Sequence, residues 1–463
     1  MDSRTQPARG MRDFLAEDVR RREHVIGVIT RVYRAYGFEP LETPAVENIE
    51  TLLGKYGEEG NKLIFKILRR GEHEAAGEAD LALRYDLTVP LARVVAEHRG
   101  NLPRVFKRYQ IQPVWRADRP ARGRFREFYQ CDVDIVGSRS MVVEAELCAA
   151  VADVLRELGF SDFTIRLNHR LLLRGMLNAF GIGEALHDQA LIAVDKLDKI
   201  GHDGVARELS ARGIPDSGGE RLLATFEGIA ALRRTVTDPR AFNDQALERL
   251  RASVPSDEGV VRALAELEEV AALGAVTSAA RHLTIDPSLA RGLSYYTGSI
   301  FEIAVTDLAG SLGGGGRYDG LIGMFSGEDV PACGFSLGLE RILVVMAERK
   351  MFPETVMRAS ADVLVTLFEG EPAADALALA ALLRQGGLRV DVYPEPDRIG
   401  KQLKFASGRN IRFAAIVGES ERRAGRVTIK DLDEGGQETV ARDEAAAYLR
   451  RKADRVLNLK PEP

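Results

Sequence analysis

The segment from Arg104 to Gly137 constrains the fold of this chain more than any other, because its pattern fits few structures. Val105 to Trp115 is rich in aromatic and branched residues, and Glu127 to Val136 alternates between polar and apolar side chains. The stretch between them, Ala117 to Arg126, is dense in arginine and contains both proline and glycine. This pattern predicts two strands joined by a long charged loop.

Period-2 alternation sorts the side chains of the second strand into two faces. One face carries Phe128, Gln130, Asp132 and Asp134. The other carries Tyr129, Cys131, Val133 and Ile135. Because an unpartnered buried carboxylate is costly, we expect the polar face to meet water or a ligand. An antiparallel hairpin with one wet face would explain the pattern, whereas the arginines of the loop favour a phosphate or carboxylate ligand.

The rhythm of the rest of the chain predicts several regions. Helical periodicity predicts helices over Asp13–Tyr36, Met141–Leu158 and about 336–349, and strand signals occur at Phe38–Pro44 and 280–305. Residues 81–98 start extended and are predicted to become helical after Pro90. From about 170 to 265 the chain is rich in Ala, Leu, Glu and Arg with little strand signal, which predicts a helical insertion.

The pattern breaks at Phe352-Pro353, and strands and helices then alternate. The expected elements are Val363–Phe368, Ala373–Gln385, Leu388–Val392, Ile399–Ala406 and Phe413–Val417. Alternation at this spacing predicts a small α/β domain with a largely parallel or mixed sheet.

Three further segments carry residues whose chemistry suits binding or catalysis. In Leu83–Pro90, Asp86 stands at a turn from strand to helix, where capping the helix is its simplest role. In Leu289–Phe301, Arg291 is the one charge of an otherwise uncharged stretch, so it forms either an ion pair or an anion site. Ser311–Leu343 holds the glycines 313–316, which mark a turn or a close backbone approach, and Arg341 at a helix start suited to an anion.

Composition narrows the possible partners and compartments. Hydrophobic residues make up 45% and charged residues 29%, as in ordinary globular proteins, and the net charge of −5 gives no global basic field. Cys131, Cys148 and Cys333 are far apart and form no CxxC pair, which argues against a disulfide framework or a thiolate zinc site. No apolar run is long enough to span a membrane, and residues 1–9 lack the apolar core of a secretory signal. We therefore expect a cytoplasmic protein without a membrane span.

Taken together and in this order, the segments resemble those of histidyl-tRNA synthetases, a family of class II aminoacyl-tRNA synthetases. The resemblance runs from Gly10-Met11-Arg12-Asp13 to the C-terminal domain. Phe38–Glu47 is similar to motif 1, Arg104–Gly137 to motif 2 and Gly334–Leu343 to motif 3. RGLSYYTG and LRYDLT are similar to the two histidine-specific signatures, and LRYDLT, FYQCD and VDKLDK (Val194–Lys199) look closer to the eukaryotic-like branch.

The resemblance implies a fold and an activity. The implied fold is an α+β catalytic core, an antiparallel sheet with helices, that carries a helical insertion and a C-terminal α/β anticodon-binding domain. The expected domains are residues 1–170 and 266–355 for the catalytic core, 171–265 for the insertion and 360–463 for the anticodon-binding domain. The implied activity is ATP-dependent ligation of L-histidine to tRNA(His) by a homodimer, through a histidyl-adenylate, with Mg²⁺ on the ATP phosphates and no metal site of its own.

Family roles carry over to matching positions. The implied catalytic residues are Arg116 and Arg291, which would stabilise charge on the α-phosphate of ATP. The implied histidine-binding residues are Asp86, Leu87, Thr88, Arg116, Gln130, Asp134, Arg291, Tyr295 and Tyr296. The implied ATP-binding residues are Arg116, Asp118, Arg124, Phe128 and Arg341, with Phe128 and Arg341 on the two sides of adenine.

Two positions depart from the family pattern. Ser294 replaces the usual aspartate of RGLDYY, and four glycines stand at 313–316 where two or three are usual.

Three other functions compete with the implied one. A catalytically inactive relative, the regulatory subunit of ATP phosphoribosyltransferase, lacks the C-terminal domain and tends to lose the catalytic arginines. A kinase-linked sensor of uncharged tRNA would need kinase motifs, which this chain lacks. The basic stretches 408–412 and 421–426 weigh against a nucleotide-binding protein without a tRNA role, although a solvated surface also explains them.

Overall fold

The computed structural model describes residues 5–73, 76–254, 257–290, 295–308, 310–357 and 361–457. The chain divides into two compact units, Met1–Phe352 and Pro353–Pro463. Among the helices of these described ranges, none has the length and apolar character needed to cross a membrane.

The first unit contains both sheet and helix. Its strands are β1 (Glu39–Pro40), β2 (Val46–Asn48), β3 (Lys66–Leu68), β4 (Ala79–Leu83), β5 (Phe106–Trp115), β6 (Glu127–Val136), β7 (Thr164–His169), β8 (Leu283–Ile285), β9 (Ser299–Ala304), β10 (Ser311–Arg317) and β11 (Ala332–Gly338). Its helices are α1 (Ala16–Ala35), α2 (Ile49–Leu52), α3 (Gly57–Lys62), α4 (Thr88–His98), α5 (Val142–Glu157), α6 (Arg170–Ala179), α7 (His187–Val194), α8 (Leu197–Ala211), α9 (Asp216–Leu232), α10 (Pro239–Ser253), α11 (Glu258–Gly274), α12 (Gly323–Ser326) and α13 (Leu339–Glu348).

An eight-stranded sheet forms the centre of the first unit, in the order β1-β5-β6-β11-β10-β9-β7-β8. Its neighbours run antiparallel except at the two edges, where β1 pairs with β5 and β7 pairs with β8 in parallel. The predicted hairpin is confirmed, since β5 and β6 pair antiparallel from Phe106–Val136 to Trp115–Glu127. The apolar face of β6, with Val133 among its members, joins one hydrophobic core with residues of α1 and α5.

The glycine cluster lies inside strand β10 and serves close backbone approach rather than a turn. A Cβ atom on Gly315 would lie 2.1 Å from the carbonyl oxygen of Gly334 in β11. A Cβ atom on Gly313 would lie 2.4 Å from the carbonyl oxygen of Ser336 in the same strand. Glycine therefore allows β10 to pair with β11 at these positions.

Three predicted helix starts were wrong, the first being that of α1, which begins at Ala16 instead of Asp13. Helix α4 begins at Thr88, ahead of Pro90, because proline is tolerated in a first turn and Asp86 Oδ1 accepts the Val89 amide at 3.0 Å. Helix α13 begins at Leu339 instead of about 336, because residues 332–338 still pair with β6 in the sheet.

Helices α6 to α11 form the predicted helical segment of the first unit, and α11 continues to Gly274. A separate three-stranded sheet, in the order β2-β4-β3, lies in the first 83 residues. Helix α4 follows it directly and begins beside Asp86.

The second unit has its own sheet and core. Its helices are α14 (Glu354–Met357), α15 (Ala373–Gln385), α16 (Ile399–Gly408), α17 (Glu419–Arg423) and α18 (Ala445–Leu457). Its strands are β12 (Val363–Val365), β13 (Val390–Val392), β14 (Phe413–Ile416), β15 (Arg426–Asp431) and β16 (Gln437–Ala441). The sheet order is β13-β12-β14-β15-β16, parallel among the first three strands and antiparallel among the last three, so it is mixed.

Candidate active site

A pocket in the first unit opens above the β6, β10 and β11 strands of the large sheet and beside the loop between β5 and β6. Ten of the residues predicted for the site line it: Asp86, Thr88, Arg116, Asp118, Arg124, Phe128, Gln130, Tyr295, Tyr296 and Arg341. They come from four separate segments of the chain, so the fold brings distant motifs to one place.

Arg116 is fixed from several sides at the end of β5. Its Nε donates to the carbonyl oxygen of Tyr85 at 3.0 Å, and its Nη2 donates to Gln130 Oε1 at 3.0 Å. Its guanidinium also lies 4.4 Å from the ring centroid of Tyr85 and 5.1 Å from that of Phe128. A cation held in this way is ready to receive an anion without first having to be ordered.

Asp86 is 1% exposed and anchors the other wall of the pocket. Its Oδ1 accepts from Tyr56 Oη at 3.0 Å, and its Oδ2 accepts from Tyr295 Oη at 3.2 Å. Burial raises the pKa of the Asp86 carboxyl above its usual range, and these hydrogen bonds and Arg116 oppose that rise. The capping role expected for Asp86 is thus combined with a place in the pocket wall.

Arg341 lies at the third position of helix α13, as expected for a residue at a helix start. Its Nη1 donates to the carbonyl oxygen of Ser311 in β10 at 2.6 Å. This bond ties the motif 3 helix to the glycine strand on the pocket wall.

Glu340, the neighbour of Arg341, was not singled out from the sequence although it lines the pocket. Its Oε2 accepts the backbone amide of Tyr129 at 3.0 Å, and its buried Oε1 has no hydrogen-bond partner among the residues that the structure describes. Burial raises the pKa of the Glu340 carboxyl to about 7. An acidic residue one position before a helix-start arginine was the available signal.

The polar face of β6 differs from the expected wet face, because Asp132 and Asp134 are each only 2% exposed. Arg108 of β5, fully buried, places Nη2 2.9 Å from Asp134 Oδ2 and 3.9 Å from Asp132 Oδ2. Tyr318 Oη donates to Asp134 Oδ1 at 2.5 Å. Burial raises the pKa of Asp132 to about 7, and the pKa of Asp134 is raised as well, while Arg108 opposes both shifts. These carboxylates are therefore paired inside the protein rather than solvated.

Hairpin register could have revealed Arg108 from the sequence. Arg108 stands opposite Asp134 across the β5–β6 pair, and Gln110 stands opposite Asp132. Cross-strand neighbours share a face, so a basic residue was available to neutralise the acidic pair. Tyr318 gave no comparable signal, because it follows the glycine strand and reaches Asp134 only through the tertiary fold.

Two predicted histidine-binding residues lie behind the pocket wall. Asp134 makes the contacts just described, and Leu87 is fully buried with its carbonyl oxygen accepting from Arg108 Nη2 at 3.3 Å. Neither is among the side chains that line the pocket. Arg291 and Ser294 lie outside the described residues.

Comparison with known families decides the relationship of the chain. The family model described as histidyl-tRNA synthetase matches residues 10–342, and the model described as an anticodon binding domain matches residues 362–452.

The chain belongs to the histidyl-tRNA synthetase family.

Individual members of this family match the chain over nearly its whole length. A protein of Porphyromonas gingivalis named histidine–tRNA ligase is 41% identical, covering 94% of this chain and 97% of that protein. A protein of the same name from Gloeobacter violaceus is 42% identical, covering 93% and 95%. The crystal structure of histidyl-tRNA synthetase from Nostoc sp. superposes with a TM-score of 0.79 at 31% identity, covering 97% of this chain and 99% of that one.

The histidyl-tRNA synthetase family explains the two units of the chain. The first unit has the class II synthetase fold, with the motif 2 strands β5 and β6 next to the motif 3 strand β11. The second unit is an anticodon-binding domain with a mixed five-stranded sheet. The resemblance found in the sequence and the predicted fold class are both confirmed.

Proposed function

We propose that the chain activates L-histidine with ATP and transfers the histidyl group to tRNA(His), releasing AMP and diphosphate. The observation that carries the proposal is the pocket itself. It combines a preorganised arginine, Arg116, with a tyrosine-rich wall around Asp86 and the helix-start Arg341. Arg116 suits an α-phosphate and a carboxylate, and the wall around Asp86 suits the ammonium and imidazole N–H groups of histidine.

We propose the following roles for the residues of the pocket. Arg116 contacts the α-phosphate and the histidine carboxylate, while Phe128 and Arg341 lie on the two faces of adenine. Asp118 and Arg124 of the loop contact ATP. Asp86, Thr88, Gln130, Tyr295 and Tyr296 surround the histidine.

Asp134 belongs to a buried cluster behind the pocket wall, which supports an indirect role for it in histidine binding. We propose that Asp134 contributes to histidine recognition from behind the pocket wall, where Arg108 and Tyr318 orient its carboxylate. Leu87 also contributes from behind the wall, where its carbonyl oxygen accepts from Arg108 Nη2. For Arg291 we retain the role implied by the family, stabilisation of charge on the α-phosphate.

The reaction follows from these roles in two steps. A carboxylate oxygen of histidine attacks the α-phosphorus, the bond to the β-phosphate oxygen breaks, and diphosphate leaves. A terminal ribose hydroxyl of the tRNA then attacks the carbonyl carbon, its proton is released, and AMP leaves. Because the first step brings two anions together, we expect catalysis to depend on cations and positioning and to need no protein nucleophile.

Magnesium is expected to enter the pocket with ATP. Mg²⁺ prefers oxygen ligands, which the β- and γ-phosphates supply, and Asp118 and Glu340 add carboxylates to the pocket lining. Among the described residues, no cluster of three or more acidic, histidine or cysteine side chains is placed to hold a metal ion. We propose that Mg²⁺ binds on the ATP phosphates, where the ion would neutralise charge on the leaving diphosphate.

We also propose that the chain is a homodimer, because apolar side chains are exposed around its three-stranded sheet. Val46 is 38%, Leu68 52% and Leu81 36% exposed in the single chain. In the family, motif 1 builds the dimer interface, and Val46 belongs to the motif 1 segment. Sedimentation at micromolar concentration tests this proposal, and a fully active monomer would overturn it.

A cytoplasmic location suits the proposed reaction, since charged tRNA is consumed by ribosomes. Cys131, Cys148 and Cys333 are all buried free thiols, which suits a reducing compartment.

Amino-acid-dependent ATP–pyrophosphate exchange tests the activation step. We expect exchange with histidine and with no other standard amino acid. Equal exchange with a second amino acid, or a complete lack of exchange by the folded protein, would contradict the proposal.

A further inference from the structure

The N-terminal segment Gly10–Phe14 lies against the loop that joins β5 and β6. The backbone amide of Arg126, at the end of that loop, donates to the carbonyl oxygen of Gly10 at 2.8 Å. The contact joins two segments more than 100 positions apart, and it lies beside the pocket-lining residues Arg124 and Phe125.

Gly10 is the residue type that this contact requires. Its φ of +84° lies in the left-handed region, which side chains disfavour. A Cβ atom there would lie 2.8 Å from Arg126 Cγ and 2.9 Å from Pro120 Cγ. The backbone of the N-terminal segment thus approaches the loop more closely than any other residue type would allow without a shift.

Arg12 makes a second contact with the same loop. Its guanidinium lies 3.9 Å from the ring centroid of Phe125 and 4.5 Å from that of Phe14, so it contacts two aromatic rings. Phe125 is the ring that lines the pocket. The quadrupole of an aromatic ring attracts a guanidinium, and partial desolvation strengthens this attraction.

Arg126 connects these contacts to the residues proposed to bind ATP. Its carbonyl oxygen accepts the backbone amide of Arg116 at 2.9 Å, and its Nε donates to the carbonyl oxygen of Asp118 at 3.0 Å. One residue therefore joins Gly10, Arg116 and Asp118.

We infer that Gly10 and Arg12 are positioning residues of the ATP site, which hold the β5–β6 loop in the conformation that presents Arg116, Asp118 and Phe125 to the nucleotide. The inference rests on the proposed function for the identity of the nucleotide. Neither residue itself lines the pocket. Gly10 therefore acts through the loop, while Arg12 acts through the loop and through its charge near the Glu340 carboxylate.

The test compares Arg12→Met with Arg12→Lys and with the control Arg31→Met. The control removes an exposed arginine of α1 that pairs with Glu157 and has no part in the loop. Pyrophosphate exchange gives the KM for ATP and for histidine, and calorimetry with a non-hydrolysable ATP analogue gives nucleotide affinity without any amino acid.

We expect Arg12→Met to raise the ATP KM and weaken analogue binding about 10-fold, with the histidine KM within twofold of wild type. Arg12→Lys should recover part of the loss because it keeps the cation, and Arg31→Met should match wild type. Equal changes in both KM values, or unchanged analogue binding by folded Arg12→Met, would overturn the inference.

Should Arg12→Met fail to fold, Phe14→Leu loosens Arg12 from its other side, and about a 2- to 3-fold loss of analogue binding is then expected. Unchanged binding in that folded variant also overturns the inference. A wild-type protein that binds the analogue but exchanges with no amino acid would count against the proposed function alone.

Discussion

At the scale of single residues, Arg116 is the position where geometry and proposed chemistry meet most closely. Its guanidinium uses one nitrogen for Tyr85, another for Gln130, and its planar face for two rings. A lysine ammonium keeps the charge but cannot reproduce this fork and stacking.

Arg116→Lys should therefore reduce the turnover of histidine-dependent exchange by about 100- to 1,000-fold, with a melting temperature close to wild type. Arg119→Lys is the matched control, because Arg119 is an exposed arginine of the same loop that does not line the pocket. Near-normal turnover of Arg116→Lys would show that Arg116 has only a structural role.

Glu340 gives a prediction about pH. Its carboxyl has a pKa of about 7 in the folded protein against an ordinary value of 4.5, so between these values the folded state binds more protons than the unfolded state. The free energy of unfolding must then fall as pH rises from about 4.5 to about 7, and the loss persists above pH 7.

Glu340→Gln removes this titration. The free energy of unfolding of the variant minus that of wild type should therefore rise by roughly 2–3 kcal/mol from pH 5 to pH 8, since one pKa unit corresponds to about 1.4 kcal/mol. Denaturant unfolding of the nucleotide-free proteins at both pH values measures the difference. A stability difference that does not change with pH would contradict the raised pKa.

Site residues could be predicted from the sequence where their pattern is local, that is, where it depends on neighbouring residues of one segment. Asp86, Arg116 and Arg341 stand at a turn, a strand end and a helix start, and Gln130 lies on the polar face of the alternating strand β6. Motif resemblance assigned all four to the site, and all four line the pocket. Alternation correctly placed Asp134 on the polar face of β6, but it could not show that this face is closed. That depends on Arg108 across the strand and Tyr318 from a distant segment.

At the scale of elements, the glycines of β10 determine how closely two strands can pack. A Cβ atom on Gly315 would lie 2.1 Å from one backbone atom and 2.7 Å from another, so flexible side-chain movement cannot relieve the contact. Gly27, in the interior of helix α1, has open space within 4 Å.

Gly315→Ala should destabilise the protein by about 1–3 kcal/mol or more through a shift of the β10–β11 pair. Gly27→Ala should instead stabilise it by about 0.5–1 kcal/mol, because alanine favours the helix. Thermal melts of both variants compare them directly. A Gly315→Ala protein as stable as wild type would mean that the strands are less closely spaced than described.

Strong periodicity predicted elements well, and tertiary pairing changed their ends. The helix predicted over Ala373–Gln385 has those bounds in the structure, whereas the strand β11 continues to Gly338 because β6 pairs with it there. Strands β15 and β16 went unpredicted, since both are short and largely polar. The Gly435-Gly436 pair between them was the turn signal that could have revealed the hairpin.

At the scale of the whole molecule, each compact unit has hydrophobic clusters of its own, and every pocket-lining residue belongs to the first unit. Net charge and composition gave no indication of a tRNA substrate. The ordered set of motifs did, because matching several distant segments in sequence is far more specific than any one of them.

Truncation after Phe352 should therefore separate the two half-reactions. The shortened protein should retain histidine-dependent exchange, while its KM for tRNA should rise at least about 10-fold because the anticodon-binding domain is lost. A circular-dichroism melt first establishes that the truncated protein is folded. If a folded truncation charges tRNA as efficiently as the full chain, the second unit does not contribute to tRNA binding.

The central claim is that this chain selects one amino acid and joins it to one tRNA. The most direct measurement supplies the protein with ATP, magnesium, all 20 standard amino acids and unfractionated tRNA, and identifies both the esterified amino acid and the tRNA that carries it. The account predicts histidine alone, attached to tRNA(His) alone, with Arg116→Lys giving little product under the same conditions. Another amino acid on the tRNA, or charging equally strong in Arg116→Lys, would contradict it.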